Sequence, residues 1–230
     1  MEKIGFIGAY DKTDTIMYIA KILTEMGKKV LIVDATISQK AKYVIPTIES
    51  KSEYITNFAN IDFAIGFKNY SDMKTYLGMP QSAVFTYDYM LIDIDDASLI
   101  NQFDIYDAKN KYFVTSFDLY ALRKGIEVLK TFSMPVSITK VYFSNLMSQD
   151  EDEYFNYIAK GCRVKWNTGK IYFPLLNSDL DIIKENQRLG RIRFKGLSNE
   201  YKDSLLAWTQ DICGDQSGIK KAFRQIERGV

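Results

Sequence analysis

The chain has 230 residues, 47% of them hydrophobic, and its 30 basic and 29 acidic side chains nearly cancel. That length suits one large domain or a domain with a short appendage, and the charge balance argues against a chain built to bind a polyanion along its whole surface. The absence of histidine excludes His-based triads, His–metal sites and imidazole pH switches.

Ile4, Phe6 and Ile7 form an apolar run that breaks at Gly8, the pattern of a buried strand. Lys12 and Thr13 follow, and then Ile16, Ile19, Ala20 and Leu23 fall on one helical face. Strand, glycine turn, Lys-Thr and helix is the layout of a phosphate-binding loop. In such a loop, backbone N–H groups and the helix N-terminus hold phosphates, the lysine neutralises them and the hydroxyl reaches Mg²⁺. Asp11 stands where a small residue is expected and brings a negative charge to the anion site. Residues 29–34 read as a second buried strand, 62–67 as a weaker one, 87–94 as a strong one ending in acids, and 111–116 as another. Leu119, Leu122, Ile126 and Leu129 mark a helix over 118–132, and a β-rich run covers 136–143. A helix that starts acidic is predicted for 150–160. Residues 163–166 and 170–173 flank Asn167-Thr168-Gly169, which predicts a short hairpin. Helical spacing returns at 179–190 and 199–212.

Strands alternating with helices predict a three-layer α/β/α domain around a mainly parallel sheet, over residues 1–213. Residues 214–230 read as a tail. Within it, Ile219, Phe223 and Ile226 fall on one face and Lys220, Lys221, Arg224 and Arg228 on the others. A basic amphipathic helix of this kind fits an anionic membrane surface, a partner, or its own domain. The two cysteines, Cys162 and Cys213, have no metal-site spacing and are expected as buried free thiols. Charges interrupt the N-terminal segment early, so no signal peptide is expected, and no apolar run approaches the ~20 residues that span a bilayer. A cytoplasmic protein is the expectation.

Ligands of such sheets bind beyond the carboxyl ends of the strands. Three predicted strand ends carry polar groups: Gly8 with its loop, Asp34, and Asp93 with Asp95 and Asp96. A phosphate loop beside strand-end acids suits a nucleotide with Mg²⁺, which takes oxygen ligands and keeps several waters. Asp95 and Asp96 read better as loop or cap residues.

With these residues placed, the chain resembles the MinD/ParA group of P-loop ATPases, whose deviant Walker A motif is KGGxGKT. Residues Ile7-Gly8-Ala9-Tyr10-Asp11-Lys12-Thr13 fall on it; Gly8, Lys12 and Thr13 match. The leading lysine is replaced by Ile7, the second glycine by Ala9 and the last by Asp11. Val33-Asp34-Ala35-Thr36 resembles the family's Asp-x-Asp strand end with the second acid lost, and Tyr89–Asp93 resembles its Walker B strand. Phe117-Asp118-Leu119-Tyr120-Ala121-Leu122-Arg123 resembles a further family segment, and Ser144-Asn145 falls where the family often places an adenine-contacting asparagine.

The resemblance implies a P-loop NTPase-like fold that binds ATP with Mg²⁺, dimerises on ATP and hydrolyses it slowly to time a positioning event. It assigns Gly8, Asp11, Lys12, Thr13 and Asn145 to the nucleotide, Thr13, Asp34 and Asp93 to Mg²⁺, and catalysis to Asp34. Ile7 cannot act across a dimer as the family's lysine does, and Thr36 is a poor substitute for the second acid. Weak binding and weak or absent hydrolysis are therefore expected, in a homodimer serving a membrane-associated or polar machine, with a possible peripheral membrane location through 218–230. A dimeric scaffold that has lost the nucleotide is the alternative. A DNA-partition ATPase using Arg188, Arg191, Arg193 and Lys195 is a further one, which the neutral charge balance disfavours.

Overall fold

A computed structural model describes residues 1–47, 51–144 and 149–228. Strands and helices alternate along it: β1 (Glu2–Ile7), α1 (Thr13–Glu25), β2 (Val30–Ala35), α2 (Ala41–Val44), β3 (Tyr54–Phe58), β4 (Ile61–Ile65), α3 (Tyr70–Tyr76), β5 (Tyr89–Ile94), β6 (Asn110–Ser116), α4 (Leu119–Leu129), β7 (Val136–Phe143), α5 (Gln149–Ile158), β8 (Val164–Phe173), α6 (Asn177–Arg188), α7 (Asn199–Cys213) and α8 (Gln216–Arg228). The strands form one eight-stranded sheet in the order β3-β4-β2-β5-β1-β6-β7-β8. Each strand pairs in parallel except β3, which runs antiparallel to β4 at the edge.

Strand parity sorts the core into two layers. Ile4 and Phe6 of β1, Ile32 of β2 and Leu91 of β5 join a cluster with Ile16, Ile19 and Leu23 of α1 and with Trp208 of α7. Their neighbours Ile7, Leu31, Val33, Met90 and Ile92 join a second cluster with Leu122 and Ile126 of α4 and Phe155 of α5. Both faces of the central strands are apolar because both are covered by helices. Asp34 has the parity of Ile32, and Asp93 that of Leu91. Both carboxylates therefore fall on the α1 face of the sheet, at its carboxyl edge.

Gly8 is required by geometry. Its φ is +134°, and a Cβ there would meet the carbonyl oxygen of Val114 in β6 at 2.3 Å. The glycine lets β1 turn tightly against β6 before the chain enters α1.

Residues 163–173 differ from the predicted hairpin. They form one strand, β8, parallel to β7. Ile138 pairs with Trp166 and Lys140 with Lys170, so Thr139 alone faces Asn167, Thr168 and Gly169. The turn-forming triplet makes a bulge, closed by a hydrogen bond from Asn167 Nδ2 to Thr139 Oγ1 (2.8 Å). The thiols are free but only partly buried.

The tail forms α8, and its apolar residues Ile219, Ala222 and Phe223 are buried in the same cluster as α1 and α7. Lys220, Lys221, Arg224 and Arg228 face outward. Among the described residues, no helix is long and apolar enough to cross a membrane.

Candidate functional site

The turn after β1 delivers Lys12 and Thr13 to the start of α1, directly above the end of β5. Lys12 Nζ donates to the Gly8 carbonyl at 2.7 Å. The same nitrogen lies 2.6 Å from Asp93 Oδ1, a buried ion pair. The Thr13 hydroxyl donates weakly to Asp93 Oδ2 (3.4 Å). Lys12 and Asp93 are each only 2% exposed. Burial raises the Asp93 carboxyl to about 7, against the pull of Lys12.

Asp34 sits in register with Asp93 on the adjacent strand. Its carboxylate holds both ends of the loop that follows β2. Oδ1 accepts the Thr36 backbone N–H (3.1 Å) and hydroxyl (2.6 Å), and Oδ2 accepts the Ala41 N–H (2.9 Å). Asp95 closes the same loop by accepting the Ile37 N–H at 2.7 Å. Asp96 caps the short 3₁₀ turn after β5 through Ser98 N–H (2.8 Å), the role its sequence position suggested.

Asp11 meets a partner that the sequence did not reveal. Its Oδ2 lies 2.5 Å from Lys40 Nζ, and Lys40 also bonds Asp14 at 2.6 Å. Asp11 Oδ1 accepts the Thr13 N–H at 3.3 Å, the position where an anion stabilises a helix start. The charge of Asp11 is thus answered inside the loop instead of standing alone at the anion site. Burial lowers the affinity of Lys40 for its proton, but the Asp14 and Asp11 carboxylates outweigh that and hold the ammonium above its ordinary range. Tyr10 anchors the loop from the other side, stacked on Phe143 at the end of β7 with ring centroids 4.6 Å apart.

These groups border a cleft of about 390 Å³ lined by Ala9, Lys12, Thr13, Lys40, Asp93 and Asp95 among others. A second cleft of about 350 Å³ adjoins it and is more apolar, with Phe143, Pro174, Leu180, Ile183 and Tyr201 in its wall. Tyr10, Asp11 and Lys40 line both clefts and form the ridge between them.

The structure therefore brings together Gly8, Asp11, Lys12, Thr13, Asp34 and Asp93 at the carboxyl edge of the sheet. Asn145 lies outside the described residues. Of the basic residues considered for DNA, Arg191 is engaged by Glu185 at 2.8 Å. Sequence reasoning gave no role to Lys40, which carries no motif, or to Tyr10, which fills the unspecified position of the phosphate loop; both matter only because the loops close on each other.

The donor set suits a phosphate carrying Mg²⁺. Among the described residues, no group of three or more His, Cys, Asp or Glu side chains is placed to hold a metal by itself. A Mg²⁺ that arrives with phosphate oxygens and waters needs few protein ligands, and the Thr13 hydroxyl beside Asp93 offers hard oxygens of that kind.

No protein-family model and no curated protein sequence matches the chain. Solved structures do. The MinD cell division protein of Aquifex aeolicus superposes with a TM-score of 0.58 at 12% identity, covering 94% of this chain and 98% of that one. A ParA family ATPase from Chlorobium tepidum TLS gives 0.57 at 14% identity, covering 90% and 97%. A variant of Cyanothece McdA in complex with ATP gives 0.57 at 16% identity, covering 93% and 96%. The likeness spans nearly the whole of each chain, and at these identities it establishes the fold.

Proposed function

We propose, from the premise that this chain carries the MinD/ParA-like P-loop fold, that it is a nucleotide-responsive positioning or assembly factor with weak or absent ATP hydrolysis. The observation that carries the reading is the meeting of Lys12, Thr13, Asp34 and Asp93 where the first β–α turn faces β5. A strand-to-helix turn with a lysine and a hydroxyl, beside strand-end acids, is an anion–Mg²⁺ site in an open α/β sheet. Lys12 would neutralise phosphate, and Thr13 with Asp93 would hold the metal, with Asp34 behind them. Asp11 would restrain the affinity.

Phosphoryl transfer depends on positioned groups and electrostatic stabilisation. Ile7 is fully buried core. The Thr36 hydroxyl and both oxygens of Asp34 are committed to the loop after β2. These features support slow or absent turnover.

The carboxyl edge also exposes Ile37, Tyr43, Leu119, Tyr120, Leu176 and Leu180. Each follows the end of a strand, and Tyr43, Leu176 and Leu180 line the two clefts themselves. This supports a homodimer that buries the cleft, and contact with a protein partner of a larger assembly. Membrane attachment through 218–230 would need α8 to leave its own core, and the reading does not rely on it. Nor does it rely on DNA.

The alternative, a dimeric scaffold without nucleotide, is favoured by one observation: Lys12 is already paired with Asp93 and the Gly8 carbonyl. Sedimentation of the full chain with and without ATP and Mg²⁺ separates the two. A monomer that becomes a dimer with ATP supports the nucleotide reading. A dimer indifferent to ATP, with an unchanged melting temperature, supports the scaffold.

A further inference from the structure

We propose that Lys40 is a phosphate-contacting cation of the cleft, held in reserve by Asp11 and Asp14 and exchanged from their carboxylates onto phosphate oxygens when a nucleotide binds. The proposal rests on the nucleotide reading above and assigns the counter-charge that the loop itself lacks.

The charge around the cleft poses the problem. Asp11, Asp93 and Asp95 line it, against Lys12 and Lys40. Lys12 is buried and spends its charge on Asp93, so a polyphosphate meeting Lys12 alone would face an excess of acid. Position 7, the other end of the turn, holds an isoleucine fully buried among the apolar residues on the α4 face. The lysine of β1, Lys3, lies at the amino end of the strand beside Asp104, so β1 offers the cleft no second cation.

Lys40 has the position and the freedom. It borders both clefts, on the ridge between them. Its backbone is fixed. Ala41 N–H is held by Asp34, Gln39 N–H donates to the Thr36 hydroxyl at 3.0 Å, and Gln39 adopts a left-handed φ of 47°. The side chain is less constrained. It is 26% exposed, and its partner Asp11 is 54% exposed, so that pair is screened by water and weak, while Asp14, 16% exposed, is the firmer of the two holds that phosphate must displace. A lysine carries its charge on a flexible four-carbon stem, which can swing while the backbone stays still. A terminal phosphate carries about −1.5 to −2 near neutral pH, a charge comparable to that of the two carboxylates it would replace.

The exchange has a structural consequence. The Lys40–Asp11 tie forms part of the ridge between the polar and the apolar cleft. Releasing it would join them into one groove with a charged end beside Lys12 and Thr13 and an apolar end beside Phe143 and Tyr201. That shape suits a nucleoside polyphosphate, whose base and phosphates differ in the same way.

The test is calorimetric titration of the full chain with ATP and Mg²⁺, in two backgrounds: native, and Asp11→Asn with Asp14→Asn. In each, Lys40→Ala is compared with Lys40→Arg, and the melting temperature with and without ATP is read alongside. If Lys40 touches phosphate, Lys40→Ala weakens ATP at least tenfold in both backgrounds, and Lys40→Arg retains most of the affinity. If Lys40 only neutralises the two acids, Lys40→Ala loses its effect once those acids are amides, and the proposal is overturned while nucleotide binding stands. If neither the native chain nor the Asp11→Asn, Asp14→Asn chain binds ATP, the nucleotide reading itself falls and this proposal with it.

Discussion

Asp34 and Asp93 lie opposite each other in register on β2 and β5, yet their carboxylates serve different loops. Asp34 is spent on the loop after β2, where it takes three donors from Thr36 and Ala41. Asp93 faces Lys12 and Thr13. Asp34 is therefore a structural clamp before it is anything else. Asp34→Ala would leave buried donors unsatisfied and should cost about 2 kcal/mol in chemical denaturation. It should also speed proteolysis within residues 36–41. An unchanged denaturation midpoint and an intact loop would mean that Asp34 does not hold it.

The Asp93 carboxyl gives the stability profile a definite sign. Burial raises it to about 7 in the folded chain, against about 3.9 for an exposed aspartate. Between those pH values the folded chain holds a proton that the unfolded chain has released. The contribution of this group to stability therefore falls as pH rises from about 4 to about 7. Asp93→Asn should flatten that stretch of the profile relative to wild type. Lys12→Met removes the cation that opposes the shift, so it should steepen the fall and extend it to higher pH, with a loss of about 3 kcal/mol near neutrality from the unpaired buried acid. Parallel profiles for wild type and Asp93→Asn would show that Asp93 does not titrate there.

Asp11 has two separable roles, as a charge and as an acceptor for Thr13 N–H. Asp11→Asn keeps an acceptor oxygen, removes the charge and loosens Lys40. It should raise ATP affinity about tenfold, equivalent to about 1.4 kcal/mol, with little change in melting temperature. Asp11→Gly also removes the acceptor and should cost the start of α1 about 1 kcal/mol. Equal affinity in wild type and Asp11→Asn would remove Asp11 from the site.

The apolar face of α8 is covered by α1 and α7. Phe223→Ala should therefore destabilise the whole fold, by about 3 kcal/mol. The folded wild-type chain should stay in solution in the presence of vesicles rich in phosphatidylglycerol. Co-sedimentation with those vesicles, with no stability change in Phe223→Ala, would show that the helix leaves the domain to meet lipid.

Much of this was legible in the sequence. The apolar runs ending at Gly8, Asp34 and Asp93 located three central strands and their carboxyl ends; that both acids lie on the α1 face emerged only from the packing of the sheet. The remainder escaped for physical reasons. The β3–β4 hairpin turns at Ala59 and Asn60, both at positive φ, without the glycine that usually marks such a turn. Asn167-Thr168-Gly169 carries strong turn chemistry, but pairing with β7 absorbed it as a bulge. The amphipathic tail had three possible partners, and only tertiary packing selects its own core. Lys40 gave no signal, because its meaning comes from Asp11 and Asp14, 29 and 26 residues away.

The central claim is that the turn after β1 binds a nucleotide. Calorimetry of the wild-type chain against Lys12→Ala, with ATP and Mg²⁺, tests it most directly. The account predicts saturable binding, weak and roughly micromolar or poorer, which Lys12→Ala abolishes while the chain remains folded. No heat of binding with wild type or with Asp11→Asn, or binding that Lys12→Ala leaves intact, would contradict it.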